Sequence, residues 1–372
     1  MAAVRIPLDA PNIGYLEKEY VVRAIESGYV SSVGPLVSEF EERFADYVGA
    51  KHAVAVVNGT SAIHLALRIL GIGPGDEVIV PALTFTGTVN PVTYAGATPV
   101  VADVDPLTWN IDVSKVEEAV TQRTRAVIPV HLYGNPADMA GLMHIAGKYG
   151  LNVIEDAAEA LGAYYNGRHV GTFGRIGVFS FNGNKVITTG GGGMLVTDDP
   201  CLADRARLLV NQGRTPGLFE YEHQEIGYNY RLTNLQAALG LAQMERLQEF
   251  LSVKRRNAVL YRELLGGRPG IGFQEEQAGA GSSWWLFSVL IDRKVFGGDK
   301  MSVISRLRSN GIQVRPVFTP IDRQPCFRSY GLTRCPVAND LWEKGINLPS
   351  TSFLTEEEVS EVCFEILRCG KG

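Results

Sequence analysis

Cysteine is scarce: the 372 residues hold five, at 201, 326, 335, 363 and 369. An odd number without metal-ligand spacing excludes a disulfide scaffold. It leads us to expect no metal and a reducing, cytoplasmic setting. No apolar run approaches the ~18 residues that a membrane span needs. The opening residues, MAAVRIPLDAPNIG, have no apolar leader core, so no membrane partner is expected. Basic residues are in deficit, 35 against 40 acidic ones, for a formal net charge of −5. That balance lacks the positive surplus of a nucleic-acid partner, or of a regulator with an added DNA-binding module. Internal repeats and low-complexity tracts are missing. So is the P-loop pattern G-x-x-x-x-G-K-[ST]. After the first strand stands Asn58-Gly-Thr-Ser-Ala62 in place of G-x-G-x-x-G, and Gly71-Ile-Gly-Pro-Gly75 follows a helix. A nicotinamide oxidoreductase is therefore the weaker reading.

What is present is an ordinary globular composition, 45% hydrophobic and 20% charged, long enough for one large domain and a smaller one. Leu36, Val37, Phe40, Phe44 and Val48 fall at helical spacing, and Ser61–Leu70 also reads as helix. Strand-like runs cover 53–57, 77–80, 98–104, 126–130 and 152–156, with helical stretches between most of them. The fold class is therefore α/β with a mostly parallel sheet. Runs 177–181 and 194–197 come next with no room for a helix between them, so the sheet is expected to be mixed. Thr233-Asn-Leu-Gln236 is a capping box opening a helix to about Leu264, and Thr355-Glu-Glu-Glu358 opens the last one. Residues 266–283 read as loop, 286–291 as strand, 301–310 as helix and 312–318 as strand. A boundary near 250 divides a large domain, 1–250, from a small α+β domain, 251–372. The N-terminal ~30 residues are free to pack on the small one.

Three segments carry chemistry. In GVFSFNGNKVITTGGGGM (177–194), Lys185 follows an apolar strand and precedes Gly190–Gly193. Glycines let backbone approach a flat ligand, and a lysine desolvated there suits Schiff-base chemistry. The same residues also suit a solvated loop lysine beside a flexible hairpin. In Ile154-Glu-Asp-Ala-Ala-Glu159, Asp156 ends a buried strand, where open α/β sheets bind ligands. It suits a protonated ring nitrogen, and equally an N-cap. At Asn58-Gly-Thr-Ser-Ala62 a strand turns into a helix whose N–H groups, with the Thr60 and Ser61 hydroxyls, form either a phosphate cradle or simple caps.

Together the three supply a phosphate cradle, a carboxylate for a ring nitrogen and an amine for an aldehyde, the requirements of pyridoxal 5′-phosphate. On these and PALTFTGTVN (81–90), PVHLYGNPADM (129–139), EDAAEA (155–160), FSFNGNK (179–185) and GYNYRLTNLQAA (227–238), the chain resembles a family over essentially its whole length. That family is the pyridoxal phosphate-dependent sugar-nucleotide aminotransferases of the DegT/StrS group. The resemblance implies an aspartate-aminotransferase-like fold with a seven-stranded, mostly parallel sheet. Lys185 would be the Schiff-base lysine and the acid/base that moves the proton. Asp156 would hold the ring nitrogen protonated and Phe85 would stack on the ring. Gly59, Thr60, Ser61 and Ser180 would lie around the phosphate, with Glu159 near the 3′-oxygen. Asn229 would reach the phosphate of a neighbouring subunit, making a homodimer with shared sites. Arg231, Arg315 and Asn182 would contact substrate.

The implied reaction takes an amino group from L-glutamate, releases 2-oxoglutarate and aminates C4 of a nucleotide-linked 4-keto-6-deoxy sugar. Lysine at 185, where some relatives have histidine, argues against a dehydratase. Motif texture resembles both GDP-perosamine synthases and the UDP-linked enzymes of bacillosamine and legionaminic acid pathways. Asn182 in FNGNK leans the expectation toward UDP, with GDP the alternative. Three further readings complete the set. His131 is taken as a hydrogen-bonded structural or pocket-lining residue. Trp284 and Trp285 are taken as core and interface aromatics of a strand. Gly240 is taken as a site of close helix packing.

Overall fold

A computed structural model describes residues 4–214 and 222–370. Apolar residues at helical spacing form α1 (Tyr15–Glu26) and α2 (Pro35–Val48). The second starts on a proline, whose missing N–H would have no partner there, and stops at Gly49 in the left-handed region, φ 78°. Alternating units come next: β1 (His52–Val56), α3 (Gly59–Ile69), β2 (Glu77–Pro81), α4 (Thr86–Tyr94), β3 (Thr98–Ala102), α5 (Val113–Glu118), β4 (Thr124–Val127), α6 (Met139–Tyr149) and β5 (Asn152–Asp156). A tight hairpin, β6 (Tyr164–Tyr165) and β7 (Arg168–His169), leads to β8 (Ile176–Ser180), β9 (Gly193–Thr197) and α7 (Pro200–Val210).

Seven strands form one sheet in the order β1-β9-β8-β5-β4-β2-β3. All neighbours are parallel except β9, which runs antiparallel to both β1 and β8. Parallel neighbours need a crossover, and the glycine-rich segment between β8 and β9 contains no helix, so the chain folds straight back. Every residue of β2 and β9 is buried, as befits strands covered on both faces. Phe40, Phe44, Phe179 and Phe181 pack at the α2 side of this core.

The remaining chain is built on α8 (Asn234–Leu265), 32 residues and therefore about 48 Å long, opened by the Thr233–Gln236 capping box. A Cβ at Gly240 would stand 2.7 Å from the Phe40 ring, so the close approach of α8 to α2 requires glycine. After it come β10 (Ile271–Phe273), β11 (Ala280–Gly281), β12 (Phe287–Ile291), α9 (Arg293–Phe296), α10 (Lys300–Ser309), β13 (Arg315–Pro316), α11 (Pro336–Lys344), β14 (Gly345–Leu348) and α12 (Glu356–Leu367). A second, antiparallel sheet has the order β10-β12-β14-β13, while β11 pairs with β6.

Three sequence expectations change. Residues 266–283 are not all loop, because Ile271–Phe273 pairs with β12 and Phe273 packs on Phe287. The run 312–318 contributes only Arg315–Pro316 to a ladder, since proline has no N–H for continued pairing. Trp284 and Trp285 precede β12 rather than belonging to it, and Trp284 holds a positive φ of 50°. Along α8 the buried side chains change allegiance: Phe250 and Leu251 join the first core, Ala258 and Tyr261 the second. Ile6 is fully buried in that second core, with the Gln313 N–H bonded to its carbonyl. On these observations we propose the division into 1–250 and 251–372, with the N-terminal segment crossing to the small unit. Among the described residues, no helix is long and apolar enough to cross a membrane.

Candidate active site

The parallel strands β1, β2, β5 and β8 end at the same edge of the sheet. The segments leaving these four ends line one cavity of about 480 Å³, the usual position for a ligand in an open α/β sheet.

The turn from β1 into α3 supplies one wall. Asn58 caps the helix: its Oδ1 accepts from the Ser61 N–H at 2.8 Å and its carbonyl from the Ala62 N–H at 3.1 Å. Gly59 and Thr60, at the first helical positions, line the cavity with Ser180 from the end of β8. Such N–H groups have no acceptor within their own helix. The backbones are close here. A Cβ on Gly193 would lie 2.6 Å from the Asn58 carbonyl carbon, and one on Gly87 3.0 Å from Thr60 Oγ1. Ser61 does not line the cavity; it is 8% exposed and faces Tyr230.

Asp156 forms the floor, 5% exposed. Its Oδ2 accepts from Thr88 Oγ1 at 2.7 Å and its Oδ1 from the Ala158 N–H at 3.1 Å. Burial pushes its pKa up, while these hydrogen bonds and the Lys185 charge hold it down. Thr84 pairs with Thr88 at 2.8 Å, completing a hydroxyl relay behind the carboxylate.

Lys185 stands in the turn after β8, its side chain 13% exposed. Its Nζ lies 3.7 Å from Glu159 Oε1 and 3.6 Å from the centre of a Trp285 ring. Burial lowers the lysine pKa, against the pull of Glu159, Asp156 and Asp9. Glu159 accepts from the Tyr133 N–H at 2.8 Å, and burial pushes its pKa up to about 7. Phe85, the residue before α4, is 57% exposed on the rim, its ring 5.7 Å from Phe318. Asn182 lines the cavity and donates its amide to Asn184 Oδ1 at 3.1 Å.

The cavity of one chain therefore gathers Gly59, Thr60, Phe85, Asp156, Glu159, Ser180, Asn182 and Lys185. It does not gather Ser61, Asn229, Arg231 or Arg315. Asn229 and Arg231 lie on the segment running beside Asn211 and Val56, and Arg315 is exposed in a shallow hollow with Arg308 and Gln313. His131 is fully buried, its Nε2 3.1 Å from Glu155 Oε2 and its Nδ1 accepting from the Ala137 N–H. It holds structure and does not line the cavity. Sequence reasoning missed Thr88 and Trp285. Thr88 was within reach, three residues after Phe85 in the same motif. Trp285 was read only as a core or interface aromatic, because nothing but folding carries it a hundred residues to Lys185.

A model of the DegT/DnrJ/EryC1/StrS aminotransferase family matches residues 11–367. A GDP-perosamine synthase of Caulobacter vibrioides is 44% identical, over 96% of both chains. A putative pyridoxal phosphate-dependent aminotransferase of Bacillus subtilis, EpsN, is 42% identical over 96% of this chain and 94% of its own. The solved putative sugar aminotransferase Spr1654 of Streptococcus pneumoniae, in its PMP form, superposes with a TM-score of 0.92 at 28% identity, covering 98% of this chain and 99% of its own.

Proposed function

The chain belongs to the DegT/DnrJ/EryC1/StrS aminotransferase family, and on that premise we propose that it aminates a nucleotide-linked 4-keto-6-deoxy sugar at C4, with L-glutamate as donor. The observation that carries the reading is the convergence of Lys185, Asp156 and the Gly59–Thr60 turn on one cavity.

Those residues fit pyridoxal phosphate. The Gly59 and Thr60 N–H groups with the Thr60 and Ser180 hydroxyls suit its phosphate, and a Cβ on Gly193 would intrude on that wall. Asp156 suits a protonated ring nitrogen: buried, it is stabilised by a facing positive charge, and Thr88 fixes the carboxylate plane. Phe85 provides an aromatic face at the rim. When bound, the cofactor supplies an electron sink for the carbon that loses a proton. Lys185 Nζ would hold the cofactor through its aldehyde and, once freed by the donor amine, would carry the proton to and from the reacting carbon. Burial helps, because a lowered lysine pKa leaves more of the amine neutral and nucleophilic. Glu159, hydrogen-bonded by the Tyr133 N–H, is held where it balances the charge on Nζ.

GDP is the nucleotide this reading favours, supported by the similarity to a GDP-perosamine synthase. The lean toward UDP rests on Asn182, whose amide is taken up by Asn184. It stands as the second reading because Asn182 still lines the cavity. Among the described residues that line the cavity, Lys185 is the single cation and no arginine is present. We propose a homodimer in which Asn229 and Arg231 complete the neighbour's site. The exposed Ile226, Tyr94, Tyr29 and Val33 offer apolar surface for such a contact. A cytoplasmic setting agrees with five free cysteines.

The test is the absorption spectrum of the purified protein with pyridoxal phosphate. A yellow band should bleach with L-glutamate and return with GDP-4-keto-6-deoxymannose, and less or not at all with a UDP-linked 4-keto sugar. Return with the UDP sugar alone overturns the nucleotide; no bleaching with glutamate overturns the donor.

A further inference from the structure

Trp285 lies just before β12 and is fixed at both ends. Its carbonyl accepts from Lys254 Nζ at 3.2 Å, and its indole Nε1–H donates to the Asn184 carbonyl at 2.6 Å, one residue before Lys185. Between these anchors the ring faces Lys185 at 3.6 Å, well inside the range in which an aromatic face attracts a cation. Lys254 is itself held. Its Nζ also donates to the Ser350 carbonyl at 2.6 Å and to Asp9 Oδ1 at 3.2 Å, so three protons meet three acceptors. The Lys254 and Asp9 side chains are 1% and 4% exposed. A core tryptophan needs shape-matched neighbours, and nothing in that requirement aims its face at an amine or its N–H at the amine's own turn.

We propose that Trp285 is a positioning residue for Lys185: its ring holds the ammonium whenever the amine is free, its indole N–H anchors the turn, and the Asp9–Lys254 pair fixes Trp285 in place. The inference rests on the reading of Lys185 as the lysine that captures the cofactor. The other charges facing Lys185 are Glu159 and Asp156, from β5 and the segment after it, and Asp9 from the N-terminal segment. A test must leave these unchanged and alter the ring alone. Fluorination acts chiefly on that face, weakening its negative charge with little change of shape, while keeping the N–H that bonds Asn184 and contacts Asp9.

Mono-, di- and trifluorotryptophan are placed at 285 alone in the full-length, cofactor-free protein. The protonation midpoint of Lys185 is then read by trace acetylation across pH, with mass spectrometry of its peptide. A weaker face stabilises the ammonium less, so the midpoint should fall stepwise, by about 0.5 pH unit over the series. A midpoint that stays constant overturns the electrostatic role. Trp285→Phe removes the donor to Asn184, and should slow the appearance of the yellow band on adding pyridoxal phosphate by roughly 3- to 10-fold, the scale of one neutral hydrogen bond. Capture at the unmodified rate overturns the anchoring role. Lys185→Ala separates the two levels. If it still captures the cofactor, the reading of Lys185 falls and this inference with it; if it does not, a constant midpoint counts against Trp285 alone.

Discussion

Lys185 and Lys254 are both withdrawn from water, and burial lowers the pKa of each. Their surroundings differ. Every proton of Lys254 meets an acceptor, one of them on a buried carboxylate. Lys185 has a carboxylate oxygen at 3.7 Å, beyond hydrogen-bond distance, an aromatic face, and a cavity. A buried charge with all partners in place cannot change them without loss, so it serves the fold. A buried charge left short of partners beside open space is available for reaction. Burial and a depressed pKa alone do not separate the two, whereas the count of satisfied protons does.

The largest effect expected from this contrast is on activity. Lys185→Ala should reduce transamination at least about a thousandfold, as loss of a covalent nucleophile does. Its urea midpoint should stay near that of the unmodified protein, because removing an under-partnered charge costs the fold little. Lys254→Met should act first on the fold. It leaves Asp9 buried and uncompensated, which costs about 3–5 kcal/mol in urea unfolding. The double variant Asp9→Asn, Lys254→Met removes both charges and should recover a large part of that loss. Should Lys185→Ala unfold the chain while Lys254→Met is tolerated, the assignment of roles is reversed.

The contrast also marks how far sequence reading reaches. The α/β class, the mixed sheet and the order of its strands' motifs follow from local patterns: apolar runs, capping boxes at Thr233 and Thr355, and the missing helix before β9. Lys185, Asp156 and Thr60 were legible because each sits at the end of a strand, where local pattern and site coincide. Trp285, Asp9 and Lys254 were not. They come from three distant segments, and no spacing in the sequence links a residue at 9 to one at 254 or 285. Ser61 shows the converse: it lies beside Thr60 in the motif, yet a helix turns it toward Tyr230 and away from the cavity lining. Even the boundary near 250 falls inside one continuous helix, since α8 serves both cores without a break.

A smaller effect sharpens the contrast through pH. Asp9 stands beside Lys254 and Glu159 beside Lys185, and burial pushes each carboxyl up to about 7. An acid whose pKa is raised by folding keeps more protons in the native state than in the unfolded one between about pH 4 and 7. Its stabilising contribution is complete below the unfolded value and is lost as pH rises through the folded one. The contribution of these carboxyls to the urea stability of the cofactor-free protein should therefore decline from pH 5 to pH 8, against a rise up to about pH 6.5 from His169, whose burial lowers its pKa to about 4. Glu41, also near 7, adds to the decline but touches neither lysine and is retained in every variant. Glu159→Gln should flatten the decline by roughly 1–2 kcal/mol, because Lys185 stands too far from Glu159 for a close hydrogen bond to keep its charge. Asp9→Asn should flatten it at least as much, since even with Lys254 in contact Asp9 is raised from a lower starting value, 3.8 against 4.5, to the same level of about 7. If Asp9→Asn leaves the decline unchanged while Glu159→Gln removes it, the direct contact with Lys254 keeps Asp9 ionised through this range, and the fully partnered lysine holds its counter-charge where the under-partnered one does not.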